Sequence, residues 1–462
     1  MVKIHNIKGH TVILMPAKGG MTQVQTYIYT GYMHETKENL GISHLVEHIM
    51  CDSWKKCQGP CPQFWNKKGT SSNAYTSNSF VGYWIAGLKE WTKEMVEYII
   101  SSTSCEFIKK TILKDEKIAV KEELLKELNK PTWKLYDRLY QELYGHPGLK
   151  NNCNIPLQLK NLKKFTNKDV TNICKKLYVP SNIIFMVTGN FNSSQVLSIF
   201  RKKLKIKNKK IKEIDPIVNI KQNVIYIPRN NAKKTDILIA FYSNIFPWDD
   251  ELHYYGLIRT LMSDGLESLL LDHLRTKMNL IYSLKMSIES DFAGTVTEIR
   301  MSTQDKNIKD VVEHCIAKIR QFTEGDFHDD FLDGAKNKQL VIKESLCKNV
   351  EFLSEFYGDQ YSHQIKHKKY KIISPEALIK KIRKASKTKI ASIGNKLFNF
   401  KSLKIIYMGK VKSHRMIDEL SPTRKPRRTR RRSGTRRRRR GRKRGQTRKR
   451  ARGRRRGRGR RA

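Results

Sequence analysis

The chain has 462 residues, 92 Lys and Arg against 43 Asp and Glu, a formal net charge of +49 and 39% hydrophobic residues. That length supports one large or two ordinary domains with real cores, and eight cysteines are too few for a disulfide-stapled secreted scaffold. No apolar run approaches the ~18 residues of a membrane helix, and the start, with its short Thr11–Met15 run and no small-residue cleavage site, reads as neither a signal peptide nor a presequence. A soluble, intracellular, strongly basic protein without a membrane partner is expected.

In chain order, residues 22–32 (TQVQTYIYTGY) are rich in Thr, Tyr, Ile and Val and end in Gly, which predicts a strand. Residues 39–50 have helical spacing, and 79–88 read as another strand. Residues 106–129 predict a long charged helix with an apolar stripe at Ile112, Leu113, Ala119, Val120 and Leu124. Residues 181–190 (SNIIFMVTGN) are a buried-type strand. The Lys-rich stretch from 203 to 216 ends in Pro and reads as a linker. LKIIYMGKVKSHRMIDEL near the end then repeats the strand–Gly–turn–helix unit of SNIIFMVTGNFNSSQVLSIF, with Gly189 and Gly409 220 residues apart. The expected fold is α+β: two tandem homologous α/β sandwich-like units, each a mixed sheet with helices packed on it. The expected division is 1–207, a linker at 208–221, a second unit at 222–412, and a disordered basic tail at 413–462.

The segment richest in chemistry is His44-Leu45-Val46-Glu47-His48. Positions i, i+3 and i+4 share a helix face, so the three polar side chains project together. Two imidazoles one turn apart suit Zn²⁺, and a neighbouring carboxylate can take a proton from water that the metal has acidified. A third ligand is required. Glu116 and Glu123 stand two turns apart on one face of the charged helix and are candidates, although such a helix taken alone is more often a solvated surface.

Here the sequence resembles the pitrilysin/insulinase class of zinc peptidases, which includes mitochondrial processing peptidase and carries HxxEH, the inverse of the HExxH order. The resemblance spans roughly residues 1–412. Gly31, Glu35 and Gly41-Ile42-Ser43 match the family's lead-in to the motif. EKIAVKEE (116–123) matches its distal glutamate segment, which implies Glu123 as third zinc ligand and Glu116 as the residue orienting the histidines, with Glu122 the nearest competitor. Ser71–Ser77 resembles the family's edge strand, implying that Asn73 and Ala74 pair with substrate backbone. LDHLRTKMNLIYS (271–283) resembles its Arg/Tyr segment, implying that Arg275 and Tyr282 contact substrate and help stabilise the oxyanion. The resemblance therefore implies a zinc endopeptidase with Glu47 as general base. A chain this long is one half-size unit, so a homodimer or a related subunit is expected.

Two features depart from the family pattern. Cys51, Cys57 and Cys61 follow the motif; a second metal and free thiols are both open there, with free thiols favoured, and Cys105, Cys153, Cys174, Cys315 and Cys347 read as core thiols. Of the +49, 25 charges lie between Arg424 and Ala462 and 24 on the preceding residues. A tail without aromatic or large aliphatic residues cannot bury enough surface to order itself, and its guanidinium runs suit nucleic acid or an acidic partner. A nucleus or a nucleoprotein particle such as a virion core follows, with the cytoplasm as the alternative. A basic body points to acidic or extended substrates. The competing reading is a non-catalytic family member acting in nucleoprotein assembly or DNA packaging.

Overall fold

The computed structural model describes residues 2–57, 59–105, 110–205, 214–347, 349–365, 367–368 and 370–410. The tail and residues 208–213 of the linker thus lie outside the described residues. Eleven strands fall into two sheets. The first contains β1 (Lys3–Ile7), β2 (His10–Pro16), β3 (Met21–Ile28), β4 (Ser71–Thr76), β5 (Val81–Leu88) and β6 (Ile183–Gly189) in the order β1-β2-β6-β3-β5-β4. The second contains β7 (Asn223–Pro228), β8 (Thr235–Ser243), β9 (Ile281–Asp291), β10 (Gly294–Thr303) and β11 (Lys404–Gly409) in the order β7-β11-β8-β10-β9.

The sheets share one plan. In each, one parallel pair (β2 with β6, β7 with β11) is followed by an antiparallel series, β6-β3-β5-β4 or β11-β8-β10-β9. The strand–Gly repeat seen in the sequence is β6 against β11, both wholly buried and both central. Burial on both faces explains their unbroken apolar runs. The second helix of that repeat lies outside the described residues, whereas the first is Ser193–Lys203.

Each sheet buries one face against helices of its own half, forming two separate cores. The other faces are covered crosswise. The Trp133–Leu143 helix packs Leu135 and Leu139 on Leu238, Ala240, Ile406 and Met408 of the second sheet. The Val350–His363 helix packs Tyr361 against Ile13, Met15, Ile184 and Met186 of the first. Gln25 Nε2 donates a 2.6 Å hydrogen bond to the Ser354 carbonyl across this contact. Gly358 lets the helix sit this close, since a Cβ there would lie 2.5 Å from the Tyr27 hydroxyl.

Predicted elements shift at their ends. The strand expected at 22–32 stops at Ile28, and Tyr32–His34 is a 3₁₀ turn. The helix expected over 106–129 is described from Lys110 to Leu128, and Ala119 of its stripe is exposed. The expectation of free thiols is corrected at two places: Cys57–Cys61 and Cys105–Cys174 are disulfides, with Cα separations of 5.2 and 5.8 Å. Both lie in the span a disulfide bridges without backbone movement. Cys51, Cys153, Cys315 and Cys347 are free. Among the described residues no helix is long and apolar enough to cross a membrane.

Candidate metal centre and active site

The His44–His48 segment lies on the Ile42–Cys51 helix, whose Ile42, Leu45, Val46, Ile49 and Met50 are buried in the first core. The chain enters this helix through Gly41, at φ 90°, a left-handed conformation that glycine adopts without strain. No side chain of the cap residue binds the first turn. The buried Glu35 does so instead, accepting from Gly41 N at 2.7 Å and Ser43 N at 2.8 Å. Burial pushes the Glu35 carboxyl up, and the amides of Ser43 and Gly41 oppose it. A carboxylate at a helix N-terminus also complements the macrodipole. The sequence showed Glu35 only as part of a lead-in; its anchoring of the motif helix emerges from the fold.

The Lys110–Leu128 helix runs beside this one and brings its glutamates to the histidines. His44 Nε2 lies 3.4 Å and His48 Nε2 3.5 Å from Oε2 of Glu123. Ligand atoms of His44, His48 and Glu123 all fall within 4.8 Å of one another, the one such cluster among the described residues. Donors on a tetrahedral ion at ~2.0–2.1 Å stand about 3.4 Å apart, so the spacing of this donor set suits Zn²⁺. His48 Nδ1 is 3.0 Å from Oε2 of Glu116, the arrangement that fixes a ligating imidazole's tautomer and leaves Nε2 free. The His44 hydrogen bond, before all else, holds the Glu123 carboxyl below the usual range. Burial depresses His48, but Glu116 and the nearby carboxylates outweigh it and raise the ring's proton affinity. Glu122 is exposed, does not line the cavity that holds the histidines, and lies 3.8 Å from Lys121.

Glu47 lies in the same cavity of about 610 Å³ as the three donors, together with Asn73 and Ala74. Burial pushes its carboxyl up, against the pull of His44 and a 2.7 Å hydrogen bond donated by Thr76 Oγ1. Asn73 and Ala74 are on β4, which has β5 on one side and a free edge on the other. The Ala74 N–H is turned from β5 and donates to Oδ1 of Asn73 at 2.9 Å. An added strand would exchange that local bond for its own. Thr76 and Asp52 also line this cavity; Thr76 lay within the Ser71–Ser77 segment without a role of its own, and nothing in the sequence pointed to Asp52. The Cys57–Cys61 loop flanks it through Pro60 and Pro62.

Arg275 and Tyr282 are elsewhere. Arg275 is exposed in a π-helical turn, Asp272–Lys277, and Tyr282 is 53% exposed on β9, where Gln304 Nε2 donates to its hydroxyl at 3.0 Å. Neither lines the cavity of the histidine cluster. Within one chain the structure gathers His44, Glu47, His48, Asn73, Ala74, Glu116 and Glu123, and leaves the Arg/Tyr pair apart.

A twofold-repeated sheet unit with a His-x-x-Glu-His helix beside an edge strand defines the class of metallopeptidase-like half-size proteins. The comparisons agree. Insulinase (Peptidase family M16) matches residues 13–156, and the Peptidase M16 inactive domain matches 164–339. The chain belongs to peptidase family M16. An uncharacterized zinc protease of Rickettsia felis is 22% identical over 382 residues, covering 80% of this chain and 88% of that protein. The zinc protease PqqE of Helicobacter pylori is 23% identical over 375 residues, covering 76% and 80%. The crystal structure of a protease from Helicobacter pylori superposes with a TM-score of 0.77 at 17% identity, over 88% of this chain and 99% of that one. A chain of complex III from Candida albicans gives 0.73 at 16%, over 91% and 100%.

Proposed function

We propose that this chain is a zinc-dependent endopeptidase acting on peptides or extended polypeptides. One observation carries the reading: His44, His48 and Glu123 converge in a cavity that Glu47 and the free edge of β4 also line. His44, His48 and Glu123 would hold Zn²⁺, with Glu116 fixing His48. When bound, the ion supplies Lewis acidity toward a scissile carbonyl and toward water. Glu47 accepts the proton released as water attacks and delivers it to the leaving amine. Asn73 and Ala74 offer backbone groups to a substrate laid along β4, which gives affinity with little demand on sequence.

Arg275 and Tyr282 would serve the centre of another copy, since they stand apart from their own chain's cluster; a homodimer or related subunit follows. The likeness to mitochondrial-processing peptidase subunit beta of Dictyostelium discoideum, 21% identical over 189 residues and covering 40% of this chain and 39% of that protein, supports pairing. The guanidinium runs of residues 424–462 would bind nucleic acid or an acidic protein, in a nucleus or nucleoprotein particle.

The test is hydrolysis of a mixed peptide library by the full-length zinc-loaded protein and by Glu47→Gln. Cleavage by the unaltered protein alone supports the reading. Cleavage by both, or by neither, rejects it.

A further inference from the structure

Cys51, Cys57 and Cys61 follow the metal-binding motif, and the peptidase chemistry uses none of them. Two of the three form a disulfide whose surroundings differ from those of the other bond. Cys105 and Cys174 are 5% and 0% exposed, so no thiol reaches them in the folded chain. In Cys57–Cys61 the ends are unlike: Cys61 is fully buried, whereas Cys57 is half-buried beside the exposed Lys55 and Lys56. Cations next to a cysteine favour its thiolate. The bond spans only four positions, so it adds little to global stability and can open without unfolding the protein. Partly exposed disulfides of this kind are the readily exchanged ones.

The Cys61 end is anchored independently of the bond. It begins the Cys61–Asn66 helix, and its amide donates to Asp52 Oδ1 at 2.8 Å. Trp65 of that helix stacks on Trp54 with ring centres 5.3 Å apart. The Trp54 carbonyl is 3.8 Å from Cys61 Sγ, placed to accept from the thiol that reduction leaves there. The tip of the loop is different. Gly59 takes φ 97°, and no heavy atom beyond its chain neighbours lies within 4 Å of where a Cβ would stand. Pro60 and Pro62, on either side of Cys61, are exposed and line the metal-centre cavity together with Asp52. The disulfide therefore fastens one wall of that cavity. Cys51, the free thiol in the lining, is pushed well up by burial and stays protonated near neutral pH, so an attacking thiol comes from solution.

We propose that Cys57–Cys61 is a thiol-exchange site that controls this wall: closed, it holds Pro60 against a bound substrate; opened by a low-molecular-weight thiol of the glutathione class, it frees the Cys57 end and weakens substrate binding. The proposal rests on the peptidase reading for what fills the cavity. A thiolate attacks Cys57 Sγ; the bond to Cys61 breaks, and Cys61 leaves as a thiolate that takes a proton from water. A second thiol attacks the outer sulfur of the mixed disulfide, which releases Cys57 and a small-molecule disulfide. Two electrons thus pass from two thiols to the protein.

The test uses the full-length zinc-loaded Glu47→Gln protein in glutathione buffers that run from oxidised to reduced. Differential alkylation with mass spectrometry reads each disulfide separately. Anisotropy reads the binding of a fluorescein-labelled peptide that the unaltered protein cleaves. As Cys57–Cys61 opens with Cys105–Cys174 still closed, Kd should rise about two- to tenfold, the loss expected when a wall segment must be ordered at each binding event. Cys57→Ser should show the weaker Kd at every glutathione ratio. Should it lose its circular-dichroism signature, Cys57→Ala/Cys61→Ala is read in the same way. A Kd that stays constant while the bond opens, a bond that opens no sooner than Cys105–Cys174, or a shift that survives Cys57→Ser overturns the proposal. If the unaltered protein cleaves no peptide, the peptidase reading falls, and limited trypsin digestion after Lys55 and Lys56 decides the rest. Faster cutting on reduction supports release of the wall; an unchanged rate rejects it.

Discussion

Thr76 Oγ1 donates a 2.7 Å hydrogen bond to Oε2 of Glu47, so the last residue of the edge strand is tied to the middle of the motif helix at one carboxylate. The strand that would hold a substrate backbone and the group that would handle its proton are therefore set in a fixed relation. Positions 47 and 76 are far apart in sequence, and only the packing of β4 on the motif helix joins them.

Thr76 then acts as a positioning residue. Thr76→Val keeps the β-branched shape and removes the donor. Hydrogen bonds to charged groups contribute roughly 1.5–3 kcal/mol, so kcat should fall about ten- to a hundredfold. KM should change little, because the backbone of β4 is untouched. Thr76→Ser should restore most of kcat. Steady-state kinetics on one peptide separates these outcomes; an equal loss in the Ser variant would mean that the methyl group, not the hydroxyl, matters.

The His48–Glu116 contact predicts a defect in metal binding. Glu116→Gln removes the charge that orients His48 Nδ1, and such changes lower metal affinity by roughly 10–100-fold. Glu122→Gln, on the solvent side, should leave affinity unchanged. Competition for zinc with a chromogenic chelator reads both. A reversed pattern would make Glu122 the residue that supports the site.

The legibility of this chain follows the range of the interactions involved. His44, Glu47 and His48 were readable because one helix turn fixes their common face. The pairing of Glu123 with them depends on two helices meeting; the residues alone left it open, and the family resemblance supplied it. The sheet repeat was visible only at β6 and β11, whose burial on both faces leaves a continuous apolar run. β9 is mostly exposed or half-buried, with Ile281 and Met286 its buried residues, and gave no such signal. The crosswise helices and the Glu35 anchor are long-range contacts with no local pattern. The disulfide partners were hidden for the same reason, since Cys105 and Cys174 are 69 positions apart.

That disulfide carries its own prediction. In the chain-entropy account, closing a loop of this length stabilises the fold by about 4 kcal/mol. A reductant should therefore lower Tm by several degrees. The Cys105→Ala/Cys174→Ala double variant should start from the lower Tm and show little further response from Cys57–Cys61, whose closed loop is only four positions long. Equal Tm values with and without reductant would show that the pair is not bonded in solution.

Glu298 on β10 predicts how stability varies with pH. It is 7% exposed, Ser287 Oγ donates to it at 3.1 Å, and burial, then repulsion from Glu289, raises it to about 7. The unfolded carboxyl titrates near ~4.3, so between roughly pH 4 and 7 the folded state holds the proton that the unfolded state has lost. Stability must then fall as pH rises through that window and stay low above it, by up to about 4 kcal/mol from this group. Glu298→Gln keeps the Ser287 contact and removes the titration. Its Tm should match the unaltered protein at pH 4 and exceed it at pH 8. A gap that is absent, or larger at the acid end, would mean that Glu298 is solvated or paired with Arg300 or Lys285, the two cations that act on it.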